Sequence, residues 1–307
     1  MNKCPFLEKC GGCKFDFTAI DYKDKKLNEI KKIPATDLPI WLEAGNRRRA
    51  DFAFSGKKFG LYESGTKNII QVNKCQNLTQ KINDILPKLA KLPWNGTGAC
   101  LITECDNGID VAITSDVPYF SAEFKNAIVM LPVIRATWNN KVITQTEKPI
   151  ISFGNVAVEY PPNAFLQPSV FSADVMRKMV KEYTNGFKRI ADLFCGLGNF
   201  TFETNADGFD VVGTGVKRDL FKKPLTASML NRYDCIIMDP PRTGALAQAK
   251  EIANSQVKQI IYISCNPNTF MRDKQILEKG GYKNTKLVPI DQFVGSTHWE
   301  LFSVFNK

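Results

Sequence analysis

The chain has 307 residues, 44% of them hydrophobic, enough apolar material for a packed core and for two domains or one large one. Its 41 Lys and Arg against 31 Asp and Glu leave a formal net charge of +10, which favours polyanions such as nucleic acid as partners. Cysteines stand near the N-terminus where a signal peptide would be apolar, and the longest apolar run, 127–134, contains Pro132 and is too short to cross a bilayer. The expectation is a soluble, cytoplasmic monomer without a membrane partner.

The first half reads mainly as short strands. Apolar alternation over 50–62 around Gly56-Lys57, over 100–114 around Asn107-Gly108, and over 150–160 around Gly154-Asn155 predicts antiparallel hairpins. Residues 22–32 give the one helix expected in that half. The pattern changes near Pro161-Pro162. Ser172 is positioned to cap a helix running to about 183. Buried parallel strands are expected at 190–194, 209–213, 235–238 and 260–264, with helices at 244–254 and 268–280. Residues 283–290 and 301–305 close the sheet as a hairpin. The fold class is therefore α/β: a Rossmann-like domain (163–307) preceded by a smaller, mainly antiparallel β domain (37–162) and an N-terminal segment with a helix (1–36).

Nine cysteines, an odd number unevenly spread, argue for metal ligands or reactive thiols over a disulfide framework. Cys4, Cys10 and Cys13, spaced C-x5-C-x2-C, are joined at a distance by Cys75. Four thiolates suit either tetrahedral zinc or an iron–sulfur cluster, and three-plus-one spacing fits the corners of a [4Fe–4S] cube better than the paired spacing usual for zinc. Unlinked buried thiols are the bland alternative. Cys100, Cys105, Cys195 and Cys235 read as core residues.

Three strand ends carry further motifs. Residues 192–199 run from a strand through Gly196 and Gly198 towards a helix, a turn that lets a nucleotide approach the backbone. Asp239-Pro240-Pro241-Arg242 forms a rigid loop after an apolar strand. Ser264-Cys265-Asn266-Pro267 follows another, at a strand-to-helix junction where a helix end and cations lower a thiol pKa. Near the C-terminus, Thr297-His298-Trp299-Glu300 brings a carboxylate able to take a proton, and His298 is the sole histidine. Arg47, Arg48 and Arg49 form a run suited to phosphate contacts or to a solvated strand edge.

Taken in order, these motifs resemble the bacterial RNA 5-methyluridine methyltransferases, and the cysteines place the resemblance with the iron–sulfur branch acting on 23S ribosomal RNA. The resemblance covers nearly the whole chain, although the N-terminal RNA-binding barrel of some relatives has no counterpart. It implies S-adenosylmethionine and a [4Fe–4S] cluster as cofactors, the latter held by Cys4, Cys10, Cys13 and Cys75. It implies Cys265 as nucleophile towards C6 of uracil and Glu300 as base. Gln167, Phe194, Asn199 and Asp239 are implied cofactor contacts, with Asp210 on the ribose side and Asp219 on the adenine side. Two departures stand out: the interval from Asn199 to Asp239 is short for a βαβαβ stretch, with no helix visible after Asp210, and Ser169 stands where the family usually has Asn. The same chemistry on transfer RNA, an amino-methyltransferase, and a non-catalytic iron–sulfur RNA-binding protein are the alternatives.

Overall fold

The computed structural model describes residues 2–307, and its chain forms two compact units that interleave along the sequence. The first holds the N-terminal stretch through Lys26, Glu43–Val170 and Val294–Thr297; the second holds Leu27–Leu42, Phe171–Phe293 and His298–Lys307. The division expected from sequence, at 36 and 162, is linear, whereas this one returns twice. Residues 27–42 belong to the second unit because they run along its last strand pair: Thr36 N donates to Leu287 O (3.1 Å), Ile40 N donates to Pro289 O (2.8 Å), and Lys286 pairs with Asp37 at 2.5 Å.

In the first unit the elements are α1 (Tyr22–Leu27), β1 (Arg49–Ser55), β2 (Lys58–Tyr62), β3 (Ile69–Ile70), α2 (Gln80–Leu89), β4 (Thr97–Cys105) and β5 (Gly108–Ser115). They continue with α3 (Ala122–Ile128), β6 (Arg135–Trp138), β7 (Lys141–Gln145), β8 (Ile150–Phe153) and β9 (Val156–Glu159). Helix α1 ends at Leu27 and tightens into a 3-10 turn over Asn28–Ile30, shorter than the 22–32 expected. Strands β3-β2-β1-β4-β5-β6-β7 make one sheet, antiparallel except for β5 and β6, and β8 pairs with β9 separately. All three expected hairpins are present. Phe52, Phe54, Cys100, Ile102, Val111 and Ile113 alternate along their strands into one core, closed by Ile82, Ile85, Leu86 and Leu89 of α2 and Phe124 and Ile128 of α3. Neither helix was expected. The spacing of the four α2 residues is helical, but Pro87 sits among them; α3 is announced only by Ser121, whose Oγ accepts from Phe124 N (3.0 Å).

The second unit contains α4 (Val170–Thr184), β10 (Ile190–Leu193), α5 (Thr201–Thr204), β11 (Asp207–Asp210), β12 (Val216–Lys217) and α6 (Ala227–Leu230). After these come β13 (Cys235–Met238), α7 (Leu246–Ala253), β14 (Gln259–Ser264), α8 (Pro267–Lys279), β15 (Lys283–Ile290) and β16 (Glu300–Asn306). The sheet order is β12-β11-β10-β13-β14-β16-β15, parallel through β14 and antiparallel at the last two. Every residue of β10, β13 and β14 is buried, as strands covered on both faces must be. Helices α7 and α8 pack on one face and α4 on the other. Helix α4 begins three residues earlier than a Ser172 cap implies, so Ser172 is a fully buried interior residue and not its cap. Between β11 and β12 there is no helix, only bends at 211–215. Among the described residues no helix is long and apolar enough to cross a membrane.

Candidate active site

Parallel α/β sheets expose ligand sites at the carboxyl ends of their strands, and four motif residues meet there in the second unit. Strand β10 delivers Phe194 and the glycine turn, β13 delivers Asp239, and β14 delivers Cys265. Strand β16 runs antiparallel to β14 with Leu301 opposite Ser264, so Glu300 opens that strand beside Cys265. Register alone therefore unites two residues 35 positions apart (265 to 300).

The electrostatics of this group depart from one expectation. The Cys265 thiol is pushed up to about 11, by burial first and then by the Glu300 and Asp239 carboxylates, with Arg242 opposing them. The N-cap of α8 is Asn266, one residue on, whose side chain accepts from Asn268 N (3.1 Å), and a backbone hydrogen bond at Cys265 lowers the thiol by less than burial raises it. Glu300 is almost fully buried, and burial followed by the Asp239 charge raises its pKa well above the usual carboxylate range. Gln292 Nε2 donates to Glu300 Oε2 (2.8 Å) and, with Arg242, works in the other direction. Gln292 and Arg242 thus join the site by structure. No spacing pattern marks Gln292, and the Asp239–Arg242 motif gives Arg242 no role of its own. Asn266 Nδ2 and Thr269 Oγ1 both donate to Arg242 O (2.9 and 3.2 Å), fixing that loop on the start of α8. The His298 side chain is exposed, its ring 6.0 Å from Phe293.

Around the glycine turn, Phe194 takes a left-handed φ of 63°, and its ring lies 5.4 Å from Phe221. Gly196 has φ +52°, and a Cβ there would meet nothing within 4 Å, so the turn presents bare backbone. Asn199 Oδ1 accepts from Arg177 Nη1 (3.0 Å), while its Nδ2 is buried without a partner. Asp210 Oδ2 accepts from Gly196 N (2.9 Å) and its Oδ1 from Val211 N (2.6 Å), tying the shortened crossover to the turn. Asp219 Oδ1 accepts from Phe221 N and Lys222 N, which holds its carboxyl below the usual range. Asp192 behind the turn is fully buried; burial raises its pKa to about 7, against the Thr201 hydroxyl donating at 2.6 Å.

Gln167 and the four N-terminal-type cysteines belong to the first unit. Gln167 is buried beside Pro168, whose carbonyl accepts from Arg48 N (2.7 Å). Arg48 is buried, Arg47 is exposed with Nε on Arg49 O (2.9 Å), and Arg49 lies over the exposed Phe165 ring at 5.8 Å. The Cys13 thiol is pushed up to about 12 by burial and then by Cys75, Cys10 and Cys4; Cys75 is raised in turn by burial and by Cys10 and Cys4. Amide donors point at two of these thiols, Gly12 N at Cys10 Sγ and Asn77 Nδ2 at Cys13 Sγ, both 3.3 Å. An open cavity of about 550 Å³ adjoins Cys4 and Cys75. Among the described residues no group of three or more His, Cys, Asp or Glu side chains is arranged to hold a metal ion, so the structure does not bring Cys4, Cys10, Cys13 and Cys75 together as a metal site. Cys100, Cys105, Cys195 and Cys235 are buried, as expected of core residues.

A sequence profile described as tRNA (Uracil-5-)-methyltransferase matches residues 217–307. The whole chain is similar to an uncharacterised RNA methyltransferase of Brucella melitensis biotype 1, at 32% identity over 348 residues, covering 99% of this chain and 84% of the relative. That alignment is longer than the 307-residue chain, so the relative carries segments absent here. The 23S rRNA (uracil(1939)-C(5))-methyltransferase RlmD of Photobacterium profundum is 26% identical over 378 residues, covering 99% of this chain and 80% of the relative. The crystal structure of Pyrococcus abyssi tRNA (uracil-54, C5)-methyltransferase in complex with S-adenosyl-L-homocysteine shares the fold, with a TM-score of 0.72 and 18% identity over 94% of this chain and 85% of that one.

Proposed function

The chain belongs to the RNA uracil-5-methyltransferase family, and from that premise we propose that it methylates C5 of a specific uridine in 23S ribosomal RNA through a covalent Cys265 adduct. The observation that carries the mechanism is the adjacency of Cys265 and Glu300 at one sheet edge, each buried enough to have its pKa raised.

Uracil C5 is a weak nucleophile. Cys265 Sγ, as thiolate, adds to C6; the C5–C6 π pair moves to give an enolate with carbanion character at C5. When bound, S-adenosylmethionine supplies the methyl group that C5 takes up. Glu300 then removes the C5 proton, the π bond re-forms, and the Cys265 thiolate leaves. A carboxylate raised by burial is a stronger base once ionised, which suits it to this step. The bare turn at Gly196 and the unpartnered Asn199 amide fit a nucleoside-bearing ligand, with Phe194, Asn199, Asp210, Asp219 and Asp239 as its contacts. Gln167 is assigned by its motif alone.

Cys4, Cys10, Cys13 and Cys75 are assigned to a [4Fe–4S] cluster on their three-plus-one spacing alone, and such a cluster would tie the N-terminal segment to Cys75. Anaerobic protein should be brown; a colourless chain with tightly held zinc refutes the cluster. The 23S substrate is favoured by the Photobacterium relative, which aligns with 99% of this chain; transfer RNA is the second choice, from the profile's description. The chain is incubated with 5-fluorouridine-substituted 23S and transfer RNAs and run on denaturing gels. A stable protein–RNA adduct with 23S RNA, lost in Cys265→Ala, is expected. Adducts with transfer RNA alone would reassign the substrate, and none with either would remove the mechanism.

A further inference from the structure

Within the second unit, Arg272 and Asp273 on the second turn of α8 take no part in the mechanism, yet Asp273 is a fully buried carboxylate. Its Oδ2 accepts from the Tyr262 hydroxyl and from Ala245 N, both at 2.7 Å, and its Oδ1 accepts from Arg272 Nε (2.8 Å). Arg272 Nη2 in turn donates to Thr243 O (3.1 Å). Burial and then the Asp273 charge raise the Tyr262 hydroxyl, so it keeps its proton and stays a donor. Gly244 holds φ +73°, and a Cβ there would stand 2.6 Å from Arg272 Nη2 and 2.7 Å from Asp273 Oδ2. The loop therefore lies directly on the carboxylate, and Gly244 N closes it as a turn by donating to Pro241 O (2.8 Å).

These bonds join two pieces of chain that carry reacting groups. Tyr262 lies in β14, three residues before Cys265. Thr243, Gly244 and Ala245 complete the loop that begins at Asp239 and carries Arg242. Asn266 and Thr269 hold the Arg242 carbonyl, and Asp273 holds the stretch that follows it. A buried carboxylate with three donors, one of them charged, makes a stiff junction, because each lost bond strands a partner away from solvent. The Arg242 side chain itself is exposed, so these backbone ties are what fix where its guanidinium starts. That guanidinium is the cation opposing Glu300 and Asp239 at Cys265.

We infer that Asp273 is a positioning residue for the reaction: it locks the loop bearing Asp239 and Arg242 against the strand bearing Cys265, and so keeps the Arg242 cation where it favours the thiolate. This rests on Cys265 as the nucleophile. Asp273 touches no reacting atom; it acts through Arg242. A cation helps ionise a thiol only while it is held near, so a loop freed from Asp273 leaves the two neighbouring carboxylates less opposed.

The test uses the full chain and needs no RNA: iodoacetamide labelling of Cys265 is followed by mass spectrometry from pH 6 to 11. Asp273→Asn keeps the size but turns an amide NH2 towards Arg272, which releases Arg272 and the loop. Labelling at pH 8 should slow about threefold, as half a pKa unit implies, with the curve moved to higher pH. Simple loss of a negative charge would move it the other way. In an Arg242→Gln background, Asp273→Asn should add no further shift, because the cation it positions is gone. Tyr262→Phe removes one bond and no charge, should give a smaller shift in the same direction, and decides in place of Asp273→Asn should that variant not fold. With RNA, kcat of the folded variant should fall while KM holds. A curve that stays or moves to lower pH, or an equal shift with Arg242→Gln already present, overturns the inference. A wild-type chain that forms no adduct with 5-fluorouridine RNA removes the mechanism beneath it, a failure seen separately from the labelling curve.

Discussion

Cys265 should be a slow thiol in the free protein, and its rate of alkylation measures by how much. With its pKa pushed up to about 11, thiolate at pH 8 amounts to roughly one molecule in a thousand. An unhindered cysteine near 8.5 is about one quarter ionised at that pH, so Cys265 should react with iodoacetamide on the order of a hundredfold more slowly. The assay follows the Cys265 peptide by mass spectrometry from pH 6 to 11, which separates it from the eight other cysteines. Deprotonation speeds labelling, so the rate should climb about tenfold per pH unit until it levels near the thiol's pKa. Glu300→Gln removes a neighbouring carboxylate that raises the thiol, and should shift the curve to lower pH; Arg242→Gln removes the opposing cation, and should shift it to higher pH. A plateau already reached at pH 7, or a Glu300→Gln shift to higher pH, would refute the account of the charges. The catalytic consequence is that kcat/KM for the free enzyme should rise with pH across the neutral range.

Further outcomes follow from other buried groups. Glu300→Gln should permit addition and methyl uptake but not release, accumulating methylated RNA attached through Cys265; turnover at the wild-type rate would exclude Glu300 as the base. Arg135 Nε meets Asp110 Oδ1 at 2.6 Å with both side chains buried, so Arg135→Met should cost about 3–5 kcal/mol by stranding the carboxylate, while adding Asp110→Leu should recover most of it in urea denaturation. Asp192 has a folded-state pKa raised to about 7 from the ordinary 3.8, so the folded chain holds that proton more tightly than the unfolded one. Stability from this group is full below about pH 4 and is lost as pH rises through 7, by roughly 4 kcal/mol at most. Asp192→Asn, which still accepts from Thr201, should flatten that decline and be more stable than wild type at pH 8; identical pH dependence in the two proteins would contradict it.

What the sequence disclosed about the fold depended on period and punctuation. The fully apolar runs at 235–238 and 260–264 could only be strands covered on both faces, and Gly56, Asn107 and Gly154 marked turns at which the chain does reverse. Helix α2 escaped because Pro87 masks an otherwise helical spacing, and residues 27–42 were assigned by position in the chain when hydrogen bonding to 287–290 decides where they belong. The missing crossover helix was legible, since the interval from Asn199 to Asp239 is short for two strand–helix–strand units, and the structure passes from Asp210 to Val216 through bends alone.

Charge was the part that motif reading could not supply. Cys265 stands at a strand-to-helix junction, a position that in isolation suggests an activated thiolate. Its shift runs upward instead, from burial first and then from Glu300 and Asp239, which reach it from two other strands through the sheet register. Gln292 shows the same limit: nothing in its neighbours along the chain marks it, and only the turn of 293–299 brings it back against Glu300. Residues that act by bond-making chemistry announce themselves by type and local motif. Those that tune them are chosen by whatever the fold lays beside them, so a single sequence offers candidates for nucleophile and base before it offers the groups that would decide when each is ionised.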